Sequence, residues 1–242
     1  MEDHYVIPLS SILFFDIETV PATAEFSALP EKMQLLWDKK STHFRKEEET
    51  AADVYQRAGI YAEFGKIVCI SVGHINMKNG EKQLRLKSYY GDDEKALLEQ
   101  FSGMLEKFTR SGEKFLCGHN SDEFDVPYVA RRMLVNQVPL PDLLNNAGKK
   151  PWEVRHLDTM KLWKFGDYKH FTSLDLLTSI FDIPTPKDDI DGSEVAGVYY
   201  DEKDVKRIAR YCEKDVQAVV QLFLRYRYEP LIKQEHVSYS VE

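Results

Sequence analysis

The feature that most constrains the fold is a strand-like segment that ends in an uninterrupted run of apolar residues. Residues 8–15 end in four consecutive apolar side chains, Ile-Leu-Phe-Phe. A strand with one solvated face alternates apolar and polar residues, whereas a strand covered on both faces is apolar throughout. Residues 66–75 are also rich in β-branched and apolar residues. The chain is therefore predicted to form a sheet with helices on both of its faces.

Three strands, then alternating helices and strands, are predicted along the chain. The third strand, residues 82–89, alternates in character, and Asn79-Gly80 before it is a hairpin turn signal. Further strands are predicted at residues 114–117 and 156–158, and helices at residues 92–109, 127–135, 171–181 and 203–228. Residues 31–63 have helical spacing with many charges and are predicted to be a helical insertion after the first strand. This order predicts an α/β fold with a mixed five-stranded sheet flanked by helices.

The length and composition fit one globular domain. The chain has 242 residues, of which 43% are hydrophobic, and we expect residues 1–242 to form a single domain. Its core is expected between about residues 10 and 228. The net charge of −8 argues against non-specific coating of nucleic acid, which relies on Lys and Arg. It does not argue against an enzyme whose acidic site holds cations.

Two further features indicate the compartment. The sequence shows neither a run of roughly 20 apolar residues, as a membrane helix needs, nor a secretory leader. Cys69, Cys117 and Cys212 lie in apolar or periodic segments without the spacing of a zinc site, so we expect buried and reduced thiols. A cytoplasmic protein is therefore expected.

Two acids, Asp16 and Glu18, directly follow the first apolar run. Their spacing places both side chains on one face of a strand, about 7 Å apart along it. They fall at a strand end, where open α/β sheets tend to build their sites. Two carboxylates on one face repel each other unless a cation lies between them. The alternative is that the strand ends at Phe15 and that both acids are solvated.

A second acidic segment begins at Phe115 and again passes from a strand through a turn to the start of a helix. Asp125 lies two residues before Pro127, so it is either a helix N-cap or a ligand. Asn120 is either a left-handed turn residue or an amide presented to a ligand. The sequence leaves both pairs of alternatives open.

A third segment lies on the long C-terminal helix. Tyr211 and Asp215 are four residues apart and share one helical face, and Val219 and Leu222 near that face indicate that it points inward. A buried carboxylate needs a partner, such as a metal ion or a hydrogen-bonding network. The three segments together supply four acids and a tyrosine, and oxygen ligands without Cys or His suit Mg²⁺ or Mn²⁺.

These segments resemble the motifs of a known enzyme family. Residues 15–19 (Phe-Asp-Ile-Glu-Thr), residues 118–125 (Gly-His-Asn, then Phe-Asp) and residues 211–215 (Tyr-x-x-x-Asp) resemble the three exonuclease motifs of the DEDD 3′–5′ exonucleases. The tyrosine is similar to that of the DEDDy branch. Residues 62–68 and 191–195 add a likeness to stand-alone predicted exonucleases related to the proofreading domain of family B DNA polymerases. The resemblance covers nearly the whole chain and implies a ribonuclease H-like fold with two metal ions.

The resemblance also implies a role for each motif residue. Asp16, Glu18, Asp125 and Asp215 are similar to the metal-binding acids, and Tyr211 is similar to the residue that orients or deprotonates the attacking water. By the same likeness Asp16 bridges the two ions, which are Mg²⁺ or Mn²⁺. Glu18 and Asp215 then lie on the side of the nucleophile, and Asp125 on the side of the leaving group.

Five further residues are candidates for contacting the substrate end by stacking or charge: His119, Asn120, Tyr128, Phe171 and Lys187. A structural role is the alternative for each of them. The polymerase-like resemblance favours the 3′ ends of single-stranded DNA, although nothing in the sequence shows a group that reads a 2′-hydroxyl. An exoribonuclease or oligonucleotide nuclease of the same chemistry, and a non-catalytic nucleic-acid-binding module, therefore stay open as alternatives.

Overall fold

The computed structural model describes residues 4–167, 171–184 and 190–241. Its strands form one six-stranded mixed sheet in the order β5-β4-β1-β2-β3-β6. The strands are β1 (Ile12–Pro21), β2 (Gly65–Lys78), β3 (Glu81–Tyr90), β4 (Phe115–Gly118), β5 (His156–Asp158) and β6 (Val237–Ser238). The helices are α1 (Glu31–Ser41), α2 (Glu94–Thr109), α3 (Asp125–Val135), α4 (Thr159–Lys164), α5 (Leu174–Ile180), the single turn α6 (Val195–Gly197) and α7 (Val205–Tyr226). Short 3₁₀ helices cover Leu9–Ser11, Phe26–Ala28, Tyr55–Ile60, Pro151–Glu153 and Gln234–His236, and a π-helix covers Val198–Glu202.

The five predicted strands are present, but the predicted strand count is wrong. β6 has only two residues and pairs in parallel with β3, where Leu84 lies opposite Val237. A buried acid of α7 fixes this segment, because Glu213 accepts hydrogen bonds from the backbone N–H of Ser240 at 3.2 Å and from its hydroxyl at 2.6 Å. A two-residue strand is too short to produce a periodic pattern, so the sequence does not predict it. Its position depends on the contact with Glu213, which is distant in the sequence.

The hairpin and the insertion are both present. Asn79 and Gly80 join β2 to β3 with φ values of 52° and 82°, as the two-residue turn requires. The insertion contains less helix than expected, because its second half forms turns and the 3₁₀ helix Tyr55–Ile60. It packs around the fully buried Trp37, whose Nε1 donates to the backbone oxygen of Ala51 at 2.9 Å.

Both faces of β1 are covered, as the uninterrupted apolar run predicts. On one face Leu13 and Phe15 pack with residues of α2 and α3, among them Leu98. On the other face Phe14 packs against α7 and meets the Phe223 ring edge-on, with 5.5 Å between centroids. Because side chains alternate along a strand, Asp16 and Glu18 lie on the same face as Phe14, toward α7.

Close packing between α7 and β2 sets the height of the helix above the sheet. A Cβ atom at Gly73 would lie 2.8 Å from Cγ1 of Val216, so only glycine permits this approach. Val216 directly follows Asp215, and the approach therefore brings the turn that carries Tyr211 and Asp215 down toward β1. Among the described helices, none has the length and apolar character to cross a membrane.

Candidate metal centre

Asp16 and Glu18 lie within β1, which continues to Pro21. The alternative in which the strand ends at Phe15 is therefore excluded. The parallel pairing with β4 stops at Phe14, whereas the pairing with β2 continues past a bulge directly after Glu18. Both acids therefore project from a part of β1 that is paired with β2 but no longer with β4.

Glu18 is a buried carboxylate that has no hydrogen-bond donor among the described residues. Its side chain is 8% exposed, and no group in the described part of the chain donates a hydrogen bond to it. Burial, followed by repulsion from Asp16 and Asp215, raises the pKa of Glu18 well above its ordinary value of 4.5. A carboxylate in these surroundings needs either a proton or a cation.

Asp16 faces the other acids of the cluster. Burial, followed by repulsion from Asp125 and Asp215, raises the pKa of Asp16 well above its ordinary value of 3.8. The thiol of Cys212 donates weakly to both the backbone oxygen and Oδ2 of Asp16, each at 3.5 Å. The sequence predicts Cys212 only as a buried hydrophobe. No local signal marks this contact, because the two residues are 196 positions apart.

Asp125 is the first residue of α3 and is almost completely buried. The N-cap alternative is excluded, because Phe124 occupies that position. The Oδ1 atom of Asp125 instead accepts a hydrogen bond from the backbone N–H of Ile17 in β1 at 3.2 Å. Burial raises the pKa of Asp125 from 3.8 to about 7. The second acidic segment is thus attached directly to the first.

Tyr211 and Asp215 lie on the face of α7 that covers β1. Burial raises the pKa of the Tyr211 phenol above its ordinary value of 10.0, and repulsion from Asp215, Glu18 and Asp16 raises it further. A hydrogen bond with the Asp215 carboxylate adds to this effect. The phenol therefore stays protonated at neutral pH and lies close enough to three of the acids to interact with each.

The structure thus brings together the four predicted acids and the predicted tyrosine from β1, α3 and α7. Glu18 and Asp125 are buried, Asp16 and Asp215 are half-buried, and the carboxylates repel one another. This arrangement is unfavourable unless positive charge lies among them. Their donor atoms are oxygens, the ligands that Mg²⁺ and Mn²⁺ prefer. The residues therefore fit a centre for divalent cations.

Asp158, at the end of β5, holds the loop that follows β4. Its buried carboxylate accepts from the backbone N–H groups of Asn120 at 2.9 Å and Asp122 at 3.1 Å. It also caps α4 by accepting from the N–H of Met160 at 2.9 Å. The sequence predicted Asp158 only as the end of a strand. The available signal was an acid directly before a helical segment, which is typical of an N-cap.

His119 and Asn120, predicted to contact substrate, lie in this loop. The His119 ring is held at both nitrogens, Nδ1 by the Thr159 hydroxyl and Nε2 by the Thr172 backbone oxygen, each at 2.9 Å. These hydrogen bonds position the loop, and contact of His119 with substrate stays a prediction. Asn120 has a φ of 61°, so its left-handed conformation is confirmed, and its buried Oδ1 has no partner among the described residues. Its amide therefore stays a candidate ligand.

The other three substrate predictions have different outcomes. The prediction for Tyr128 is wrong, because the side chain is 1% exposed and its hydroxyl donates to the Gly59 backbone oxygen at 2.8 Å. Tyr128 is thus part of the core and has no surface for a nucleic acid. Phe171 is 67% exposed, and its contact with substrate stays a prediction. Lys187 lies outside the described residues.

Comparison with known proteins identifies a matching family. The sequence profile of one family matches residues 60–238, and the family is described as a predicted 3′–5′ exonuclease related to the exonuclease domain of PolB. The chain belongs to this family. The matched region contains Asp125, Tyr211 and Asp215, whereas Asp16 and Glu18 lie before it. A search of curated proteins finds no match.

The fold of this exonuclease-family protein is similar to part of a larger polymerase. Among 105 matching solved chains is the family B DNA polymerase from the hyperthermophilic archaeon Pyrobaculum calidifontis. That structure matches 88% of this chain with a TM-score of 0.52 and 15% identity. The exonuclease-family chain spans 24% of the polymerase chain. At this identity the likeness shows a shared ribonuclease H-like α/β fold and nothing further.

Proposed function

We propose that the protein is a metal-dependent 3′–5′ exonuclease of the DEDDy type that removes nucleotides from the 3′ end of single-stranded DNA. The observation that carries the proposal is the convergence of Asp16, Glu18, Asp125 and Asp215 with Tyr211 beside β1. Membership of a family of predicted exonucleases supports the reaction type. The free thiols of the three buried cysteines support a reducing, cytoplasmic location as part of the same proposal.

The four acids are proposed to hold two divalent cations, Mg²⁺ or Mn²⁺. Such a pair stabilises the negative charge on the attacking and leaving oxygens of a phosphodiester. By its likeness to the first motif of the family, Asp16 is assigned to both ions. Glu18 and Asp215 are assigned to the side of the nucleophile, and Asp125 to the side of the leaving group.

Tyr211 is proposed to orient the attacking water rather than deprotonate it. Its raised pKa keeps the phenol protonated at neutral pH, which makes it a poor general base. Its hydrogen bond with Asp215 holds the hydroxyl at the edge of the acid cluster. A fixed hydroxyl there can hold a water molecule in line with the phosphorus atom, which lowers the entropic part of the barrier.

The preference for DNA rests on the likeness to polymerase exonuclease domains. Among the described residues, no contact is evident that would read a 2′-hydroxyl, and the acids act on the phosphodiester that DNA and RNA share. The test of substrate class therefore uses 5′-labelled DNA and RNA strands of the same sequence. Each strand is incubated with Mn²⁺, with Mg²⁺ or with chelator.

The variant Asp16→Ala tests the centre, and Asp142→Ala is its matched control. Asp142 is an exposed acid that pairs with Lys149 and Arg155 at the surface. With metal present, we expect the wild type and Asp142→Ala to produce a ladder of shortened DNA. We expect no shortening with chelator, with Asp16→Ala, or when the 3′ end of the DNA carries a phosphate. Shortening by Asp16→Ala at the wild-type rate would overturn the assignment of the site. Shortening of RNA alone would replace DNA by RNA as the substrate.

A further inference from the structure

A thiol lies among the donor atoms of the metal centre. Cys212 belongs to α7, and its Sγ is 3.5 Å from Oδ2 of Asp16. One donor atom from each of Asp16, Glu18 and Cys212 lies within 4.8 Å of the others. The proposed Mg²⁺ or Mn²⁺ chemistry makes no use of this sulfur, since both ions prefer oxygen. The thiol is therefore a possible ligand for an ion that prefers sulfur, which the exonuclease reaction does not require.

Glu18 supplies an independent indication that a cation belongs at this position. It is more than nine-tenths buried, and within the described ranges no group donates a hydrogen bond to its carboxylate. A buried carboxylate without a donor is costly unless a cation neutralises it. Its donor atom faces the same small space as those of Asp16 and Cys212. The three side chains thus surround a position where positive charge is favoured.

The distance between sulfur and oxygen suits a tetrahedral ion. Zn²⁺ bonds to sulfur at about 2.3 Å and to carboxylate oxygen at about 2.0–2.2 Å, so a tetrahedral site separates sulfur from oxygen by about 3.5 Å. The distance from Cys212 Sγ to Asp16 Oδ2 is 3.5 Å. A third ligand from Glu18 leaves the fourth position open for water. Little movement of Asp16 and Cys212 relative to each other is therefore needed to bind Zn²⁺.

We infer that Asp16, Glu18 and Cys212 form a site for a thiophilic dication of the Zn²⁺ class, which overlaps the catalytic centre and inhibits the exonuclease. On binding, Cys212 gives up its thiol proton to solvent and ligates as a thiolate. Zn²⁺ binds such mixed ligands more tightly than Mn²⁺ does, and it occupies the two acids that the catalytic ions need. The inhibition rests on the proposed function, whereas the binding of the ion does not.

Binding is tested with Cd²⁺, a thiophilic probe whose bond to a thiolate gives an ultraviolet charge-transfer band. The reduced, metal-free full-length protein is titrated under anaerobic conditions as wild type, Cys212→Ser and Cys117→Ser. Cys117 is the matched control, because it is a buried thiol of β4 outside the cluster. We expect one equivalent of the band in the wild type and in Cys117→Ser, and its loss in Cys212→Ser. Absence of the band from the wild type, or its persistence in Cys212→Ser, would overturn the inference.

Inhibition is measured separately as the Zn²⁺ concentration that halves Mn²⁺-dependent DNA shortening. Each variant is normalised to its own rate without Zn²⁺, so that any change in basal activity cancels. Loss of the sulfur ligand is expected to raise this concentration about tenfold or more in Cys212→Ser. Equal sensitivity of the two proteins would contradict the inhibitory site. If neither protein shortens DNA while the Cd²⁺ band appears, the proposed function fails and the metal site stands.

Discussion

The backbone N–H of Ile17 donates a hydrogen bond of 3.2 Å to Oδ1 of Asp125, although the two residues are 108 positions apart. β4 no longer pairs with β1 beyond Phe14, so this N–H would otherwise lack a partner in the sheet. Asp125 supplies that partner at the start of α3. The same carboxylate is thus a structural acceptor and a proposed metal ligand, and substitutions can separate the two roles.

Ionisation of the Asp125 carboxyl is expected to make the metal-free protein less stable as pH rises. Its pKa is 3.8 ordinarily and about 7 in the folded state, so between these values the folded state holds more protons than the unfolded state. The free energy of unfolding therefore falls as pH rises through this window. Asp125 contributes on the order of a few kcal/mol to that fall.

Denaturant unfolding of metal-free protein at pH 4 and pH 8 measures this effect. Asp125→Asn keeps an oxygen acceptor for the Ile17 N–H but cannot ionise, so its stability should fall less over the same interval. Comparing the two proteins removes the contribution of those titrating groups that do not interact with Asp125. Equal losses of stability in wild type and variant would show that Asp125 does not carry the raised pKa.

Divalent metal is expected to stabilise the folded protein, because the cation offsets the repulsion among the carboxylates of the cluster. At a Mn²⁺ concentration about a hundred times the dissociation constant, binding to the folded state adds about 2.7 kcal/mol to stability. The melting temperature of the wild type at pH 8 should therefore rise on addition of Mn²⁺. Without metal, Asp16→Asn should melt at a higher temperature than the wild type, because one of the mutually repelling carboxylates is gone. The variant should respond little to Mn²⁺. A full metal response in this variant would remove Asp16 from the ligand set.

Part of this architecture could be predicted from the sequence. The uninterrupted apolar residues of β1 predicted helices on both faces, and the spacing of Asp16 and Glu18 predicted a common face. These are local consequences of strand geometry. The spacing of Tyr211 and Asp215 likewise predicted a common helical face.

Contacts between distant segments were not predictable in this way. Nothing near Cys212 in the sequence shows that its thiol meets Asp16, and nothing near Asp125 shows that it binds the Ile17 N–H. Tyr128 looked available for stacking, but the packing of α3 against the sheet buries it. Each of these contacts depends on tertiary packing, which cannot be read directly from a single sequence.

Removal of the Tyr211 hydroxyl is expected to separate catalysis from metal binding. Tyr211→Phe keeps the ring that packs between α7 and β1 but loses the hydrogen bond with Asp215. We expect an unchanged rise of melting temperature with Mn²⁺ and a fall of kcat by roughly 10²-fold or more, as for other groups that position a reactant. The two measurements are made on the same preparation. An unaltered kcat would exclude Tyr211 from the mechanism.

Loss of the Asp158 carboxylate is expected to destabilise the loop after β4. Asp158→Ala removes the acceptor for the N–H groups of Asn120, Asp122 and Met160, which should lower the free energy of unfolding by roughly 2–4 kcal/mol. Asp142→Ala is the comparison, because that exposed acid makes only surface ion pairs, worth about 1 kcal/mol or less. Denaturant unfolding at pH 7 measures both. Similar losses in the two variants would contradict the anchoring role of Asp158.

The most direct test of the central claim is anomalous diffraction from crystals of the protein soaked in Mn²⁺. We expect two anomalous peaks among the carboxylates of Asp16, Glu18, Asp125 and Asp215, about 4 Å apart as in other two-metal sites. Crystals of Asp16→Asn should lose at least one of these peaks. Ordered Mn²⁺ elsewhere in the protein, with none among these four carboxylates, would contradict a metal centre at this position.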